Sequence, residues 1–172
     1  MTPEEQRLIM DLAVGLGDGP KRPVSDVLDH FGEPDGAVLA LRLLNDAIAR
    51  QDADDLEMAF LLRYVTGAPI EDVKDLYVEL FPAEWHREHE EIVTALGRLR
   101  SPELVPTMVL AIRWVPEGLS WDENRALAVK AIWALGAIPG PEAQQALEDL
   151  RDAENEIIRE NALHQLARRA AR

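Results

Sequence analysis

A chain of 172 residues, 47% of them apolar, is long enough for one continuous core or one short repeat array. It carries 32 acidic against 18 basic residues, a formal net charge of −14, and no cysteine. That excludes a disulfide framework and a thiolate metal site, and the negative field argues against nucleic acid or an anionic membrane as partner.

The charge is unevenly spread. Residues 1–50 sum to −4, 51–100 to −7, 101–150 to −4 and 151–172 to +1. Such a field steers basic partners toward the middle of the chain, although solubility alone would also use it. The opening residues "MTPEEQRLIMDLAVGLG" interleave Glu4, Glu5, Arg7 and Asp11 with apolar positions. Neither an export signal nor a membrane span is therefore expected, and a cytoplasmic protein is the simplest reading.

Strand signals are scarce and helical ones recur. Pro3 opens a helix over 3–15, and the glycine-rich stretch that follows, with "VGLGDGPK" (14–21), reads as a helix end and turn rather than a phosphate loop, since it lacks the Gly-Lys-Ser/Thr ending and follows a helix. A short helix is predicted over 23–31. Over 36–50, Val38, Leu41, Leu44 and Ile48 form the expected inner stripe. Asp52 or Asp54 then caps a helix to Thr66 with Leu56, Phe60, Leu61 and Tyr64 inside. The next begins at Pro69 and buries Val73, Leu76, Tyr77 and Leu80. Pro82 closes it and opens another that runs to Leu99. Four segments follow: "SPELVPTMVLAIRWV" with Ser101 as N-cap, "SWDENRALAVKAIWALGAI" with Ser120 as cap, "GPEAQQALEDL" from Pro141, and "AENEIIRENALHQLARRAA". Short links make neighbouring helices antiparallel.

The second half repeats. "ALGRLRSPELVPTM" (95–108) aligns with "ALGAIPGPEAQQAL" (134–147) at an offset of 39, placing Ala95-Leu96-Gly97 on Ala134-Leu135-Gly136 and Pro102-Glu103 on Pro141-Glu142. A fainter copy sets Ala162 and Leu166 on Ala131 and Leu135. Units of this kind bury their apolar stripes only by stacking.

These residues, with "AVKAIWALGAIPGPEA" (128–143) and "IIRENALHQL" (157–166), resemble the HEAT-like repeats of bacterial proteins, of the phycobilisome-lyase type. "DDLEMAFLL", "EWHREHEEIV" and "WDENRALAVKAIWALG" further resemble blocks of small stand-alone HEAT-repeat proteins, some of them immunity proteins encoded beside secreted toxins. The resemblance implies an all-α, right-handed α-solenoid of antiparallel helix pairs. The expectation is a single helical domain over 1–172, with irregular pairs over 1–82 and HEAT-like repeats over 83–172.

One stretch draws chemical attention. "AEWHREHEE" (83–91) sets His86 and His89 three apart beside Trp85 and a run of carboxylates. On a helix, His86 and Glu90 would share a face, as would Trp85 and His89. A metal site is one reading, but His-x-x-His-Glu is not the zinc-protease order. A partner contact is another. The simplest is a helix start, with carboxylates at its positive end and the histidines paired to Glu90 or to acids of the next repeat. Trp121, Asp122 and Glu123 are expected to start a neighbouring helix, with Asp122 or Glu123 orienting a histidine. Lys130, in an apolar stretch, either snorkels or pairs with a carboxylate on another helix; Trp133 is read as core. The three serines lie in no nucleophile-elbow context.

The expected function is therefore non-enzymatic protein binding, with no catalytic residue, metal or cofactor. The closer resemblance implies an immunity-type inhibitor that neutralises a basic toxin, for example a nuclease. Candidate contacts are Trp85, His86, His89, Glu90 and Trp121, together with Asp122, Glu123, Asp52, Asp54 and Asp55. A general adaptor or scaffold is the alternative, and a HEAT-like nucleotide or DNA-repair enzyme a second, which the acidic charge disfavours.

Overall fold

The computed structural model describes residues 1–13 and 22–171, and every regular element among them is helical. The turn expected at 14–21 lies outside the described residues. The chain divides into two compact units: Met1–Val73 with Trp85–Arg87, and Lys74–Glu84 with Glu88–Arg172. The first division falls at Val73/Lys74.

The first unit holds α1 (Pro3–Ala13), α2 (Val24–Phe31), α3 (Gly36–Arg50) and α4 (Ala53–Thr66), then a 3-10 turn at Glu71–Val73. Local chemistry starts and stops each of them. Thr2 and Glu5 form a reciprocal capping box at α1: the Thr2 hydroxyl accepts from the Glu5 N–H at 3.2 Å, and the Glu5 carboxylate accepts from the Thr2 N–H at 2.5 Å. That backbone bond holds the Glu5 carboxyl below its ordinary range. Asp35 caps α3 by accepting from Ala37 and Val38, and Asp52 caps α4 by accepting from the Asp55 N–H. Gly32 and Gly67 end α2 and α4 in the left-handed region.

α3 and α4 form the main pairing of this unit, with α1 against α4. The start of α3 lies so close to the end of α4 that a Cβ at Gly36 would sit 2.5 Å from Thr66 Cγ2. The buried face of α3 is Leu39, Ala40, Leu43, Leu44 and Ala47; the expected stripe is rotated, with Val38 and Leu41 outside. α3 is apolar on several sides, so spacing alone leaves its inward face ambiguous. On α4, Leu56 and Phe60 are buried as expected, but Tyr64 is exposed and Met58, Ala59 and Leu62 fill the core instead.

The second unit holds α5 (Lys74–Leu80), α6 (His89–Leu99), α7 (Val105–Arg113), α8 (Ala126–Ala137), α9 (Pro141–Glu148) and α10 (Glu156–Ala170), with 3-10 turns at Pro102–Leu104 and Glu117–Leu119. α8 packs between α6 and α10 in one layer, while α7 and α9 form the other and flank α8. This alternation is that of an α-solenoid. The offset of 39 holds in three dimensions: Leu96 and Leu135, and Met108 and Leu147, are all fully buried. The repeated glycines mark the tightest crossings. A Cβ at Gly97 would meet Ala134 Cβ at 2.9 Å, and one at Gly136 would strike the buried Gln165.

Two helix starts fall later than the sequence suggests. α6 begins at His89, not at Pro82–Glu84, and the preceding Trp85–Arg87 groups with the first unit. α8 begins at Ala126, so Ser120 does not cap it and Trp121–Glu123 do not start it. Ser101 precedes a 3-10 turn and hydrogen-bonds Glu103 instead of capping a backbone N–H.

Candidate protein-binding surface

Unit by unit, the expected site residues take distinct roles. In the first unit, Asp52 is spent on capping α4. Asp55 is fully buried. Burial alone would raise its carboxyl, but the Met1 amino group, Gln6 and Arg50 all bond it and together hold it below the ordinary range. It offers nothing to a partner. Asp54 is exposed and pairs with Arg87 at 2.7 Å, and that pair ties the 85–87 stretch to α4. Trp85 is half-buried, and its ring stands edge-on to the buried His86 at 5.2 Å between centroids.

In the second unit, His89 is also buried. Its ring packs edge-on to Phe81 and Trp114, and its Nε2–H donates to the Ala83 carbonyl at 3.0 Å. The motif histidine thus joins a three-ring cluster that holds the segment before α6 against the end of α7. The Glu90 carboxylate receives Lys130 at 2.7 Å, the interhelical pair that was the sharper reading of Lys130. Asp122 orients no histidine through its two oxygens, which accept from the N–H groups of Asn124 and Ala126. Trp133 is not core. It is 44% exposed, its Nε1–H bonds Asn161, and Arg168 lies over its ring at 5.2 Å.

The connection between α7 and α8, residues 114–125, carries the most exposed aromatic ring. Trp121 is 75% exposed, while its Nε1–H donates to the Gly118 carbonyl at 2.8 Å. The indole is fixed by its own loop and turns its faces outward. The loop is braced internally: Ser120 bonds back to Glu117, Asp122 to Leu119, and Arg125 to Asp122. Arg125 adopts a left-handed backbone and donates to the Ile112 carbonyl at the end of α7. Glu117 and Glu123 are exposed beside the ring in sequence. Residues 114–125 therefore combine a hydrogen-bonded, exposed aromatic ring with the exposed carboxylates of Glu117 and Glu123, for which no ion pair is found among the described residues.

A second feature was not legible in the sequence. A groove of about 500 Å³ runs between α7 and α9. Val109, Ile112, Ala146 and Leu150 form its walls. Ala146 is among the residues that line it, a role visible in sequence only once the two helices are known to be neighbours.

Among the described residues, no group of three or more His, Asp or Glu side chains is arranged to hold a metal ion, and no helix is long and apolar enough to cross a membrane.

Residues 87–167 match the family described as HEAT repeats. That stretch coincides with the α6–α10 stack, so this part of the chain is similar to HEAT repeats, a repeat class whose stacked helices present extended protein-binding surfaces. The chain matches no curated protein and no solved structure.

Proposed function

We propose that this protein is a non-enzymatic binding module of the immunity type, which docks on a basic toxin and blocks its active site or substrate entry. A nuclease is the fitting example, since its own surface must be positive to hold phosphate. The observation that carries the reading is Trp121, three-quarters exposed and tethered by its N–H to the Gly118 carbonyl, on a loop that also exposes Glu117 and Glu123. Aromatic anchors dominate interface energetics, and surrounding carboxylates speed encounter with a cationic partner. The net charge of −14 supplies the long-range field. The resemblance of several blocks to immunity-type proteins points the same way.

The test is affinity capture from the host lysate at low and high salt, run in parallel with Trp121→Ala, followed by co-expression of the captured chain with and without this protein. The reading requires a basic chain whose capture weakens with salt, falls with Trp121→Ala, and whose toxicity this protein relieves. Neutral partners held equally at both salts, and indifferent to Trp121, would overturn it in favour of a scaffold.

A further inference from the structure

The α7/α9 groove is separate from the Trp121 ring and makes its own demands on an occupant. Its volume of about 500 Å³ lies within the range of built ligand sites. Its walls are aliphatic, and Ile112 at its base is 2% exposed, so the floor is part of the core rather than a surface dimple.

The rim is polarised. Glu142 and Ala146 on α9 and Asp149, the residue that caps its end with helical backbone angles, follow one another at helical spacing, so the two carboxylates flank the apolar centre from two turns apart, roughly 10 Å along the axis. Arg113 stands on the α7 side. Among the described residues, no lysine or arginine forms an ion pair with Glu142 or Asp149, and no carboxylate with Arg113. Asp149 receives only the neutral Gln145 amide, at 2.7 Å. Charges left uncompensated around an apolar slot specify what would compensate them.

We propose that this groove takes an amphipathic helical segment of a protein partner, with a large aliphatic or aromatic side chain seated between Val109 and Ala146. Lysines or arginines on either side of that anchor meet Glu142 and Asp149. Arg113 sets direction by favouring a carboxylate or the carbonyl end of the segment on the opposite edge. This is helix-in-groove recognition, with the apolar anchor giving affinity and the polar rim giving register. The inference rests on the protein-binding reading but not on Trp121.

The probe is a fluorescent helical peptide of leucine and lysine patterned so that leucines share one face with lysines beside them. Two controls replace the leucines by alanine or the lysines by glutamate. Binding to the full chain is followed by anisotropy and by methyl NMR. The expected result is saturable binding that moves the methyl signals of Val109, Ile112 and Leu150. Ala146→Trp, which fills the slot, and Glu142→Lys with Asp149→Lys each weaken it about tenfold or more. The matched reversal Asp46→Lys with Glu57→Lys, on the other unit, and Trp121→Ala leave it within about twofold. Circular dichroism verifies that each variant remains helical. Equal binding of the alanine control, equal loss with the remote reversal, or methyl shifts that follow protein concentration without peptide would each overturn the inference. The last of these would identify a second copy of the chain as the occupant. If the peptide fails while lysate capture still depends on Trp121, the groove inference falls and the binding function stands.

Discussion

The repeated glycines offer the sharpest check on how the stack is built. Gly97→Ala places a methyl group 2.9 Å from Ala134 Cβ, where a comfortable carbon–carbon contact is about 3.5–4.0 Å. α6 and α8 must therefore move apart by roughly 0.6–1 Å, and overpacking of that size costs about 1–3 kcal/mol. Alanine's helix propensity returns up to about 1 kcal/mol over glycine, less here because Gly97 sits in the last turn of α6. The expected net loss is about 1–2 kcal/mol. The decisive measurement is a double-mutant cycle with Ala134→Gly. In that background the obstructing methyl is absent, so Gly97→Ala should become neutral or stabilising, a coupling of about 1–3 kcal/mol. Urea unfolding is followed by tryptophan fluorescence, since three of the four tryptophans, at 114, 121 and 133, lie in the second unit. Additive effects, or a stabilising Gly97→Ala in the native background, would show that the helices do not approach as closely as described.

Other predictions are simpler. Asp55→Asn should destabilise the first unit by about 2–4 kcal/mol near neutral pH, because Arg50 loses its charged partner. Since the folded carboxyl titrates below its unfolded value, its stabilisation is present above about pH 4 and is lost as pH falls through the lower folded value; the gap between variant and parent in urea titrations should close there. Replacing His89 by Ala should cost about 3 kcal/mol and change Trp114 emission, because it leaves a cavity beside the Phe81 and Trp114 rings and strands the Ala83 carbonyl. A metal-binding histidine would instead show metal-dependent stability in the parent. Asn155→Ala removes the oxygen that accepts from the Ile158 N–H and should lower stability by about 1 kcal/mol, read as a fall in the urea midpoint at constant m.

What the sequence disclosed and what it hid follow from the range of the physics involved. The helical class, the 39-residue offset and the cap at Asp52 depend on residues within a few positions or on a repeated pattern, and these were accessible, whereas the caps at Asp35 and Asn155 were not read and those read at Ser101 and Ser120 do not form. The direction of α3 was not, because Val38, Leu39, Ala40 and Leu41 are all apolar and only the neighbour α4 decides among them. The histidine motif misled for a different reason. A carboxylate run after a proline has the composition of a helix start, yet Trp85–Arg87 and His89 are bound into different units and the helix begins only after the division. "SWDEN" misled similarly: Asp122 satisfies Asn124 and Ala126 through its own side chain, a loop chemistry that mimics a capped helix in sequence. The groove had no local signature at all, since its two walls lie more than thirty residues apart.

The tryptophans show why function is sought on the loop and not in the motif that first attracts attention. Trp85 stands against His86, Trp114 packs edge-on to Phe81 and His89, and Trp133 is bonded to Asn161 and lies under Arg168. Each of these rings packs against a neighbouring side chain of its own unit. Trp121 alone spends its N–H on its own loop and leaves three-quarters of its surface in water. Folding gains little from such a ring, because the apolar area it could remove from water stays wet. An already oriented indole, however, loses less side-chain freedom when a partner covers it, so the same exposure that contributes nothing to stability favours affinity. Trp121→Ala should accordingly leave the urea midpoint unchanged while weakening capture of the partner, and a substantial loss of stability in that variant would make Trp121 a structural residue like the other three.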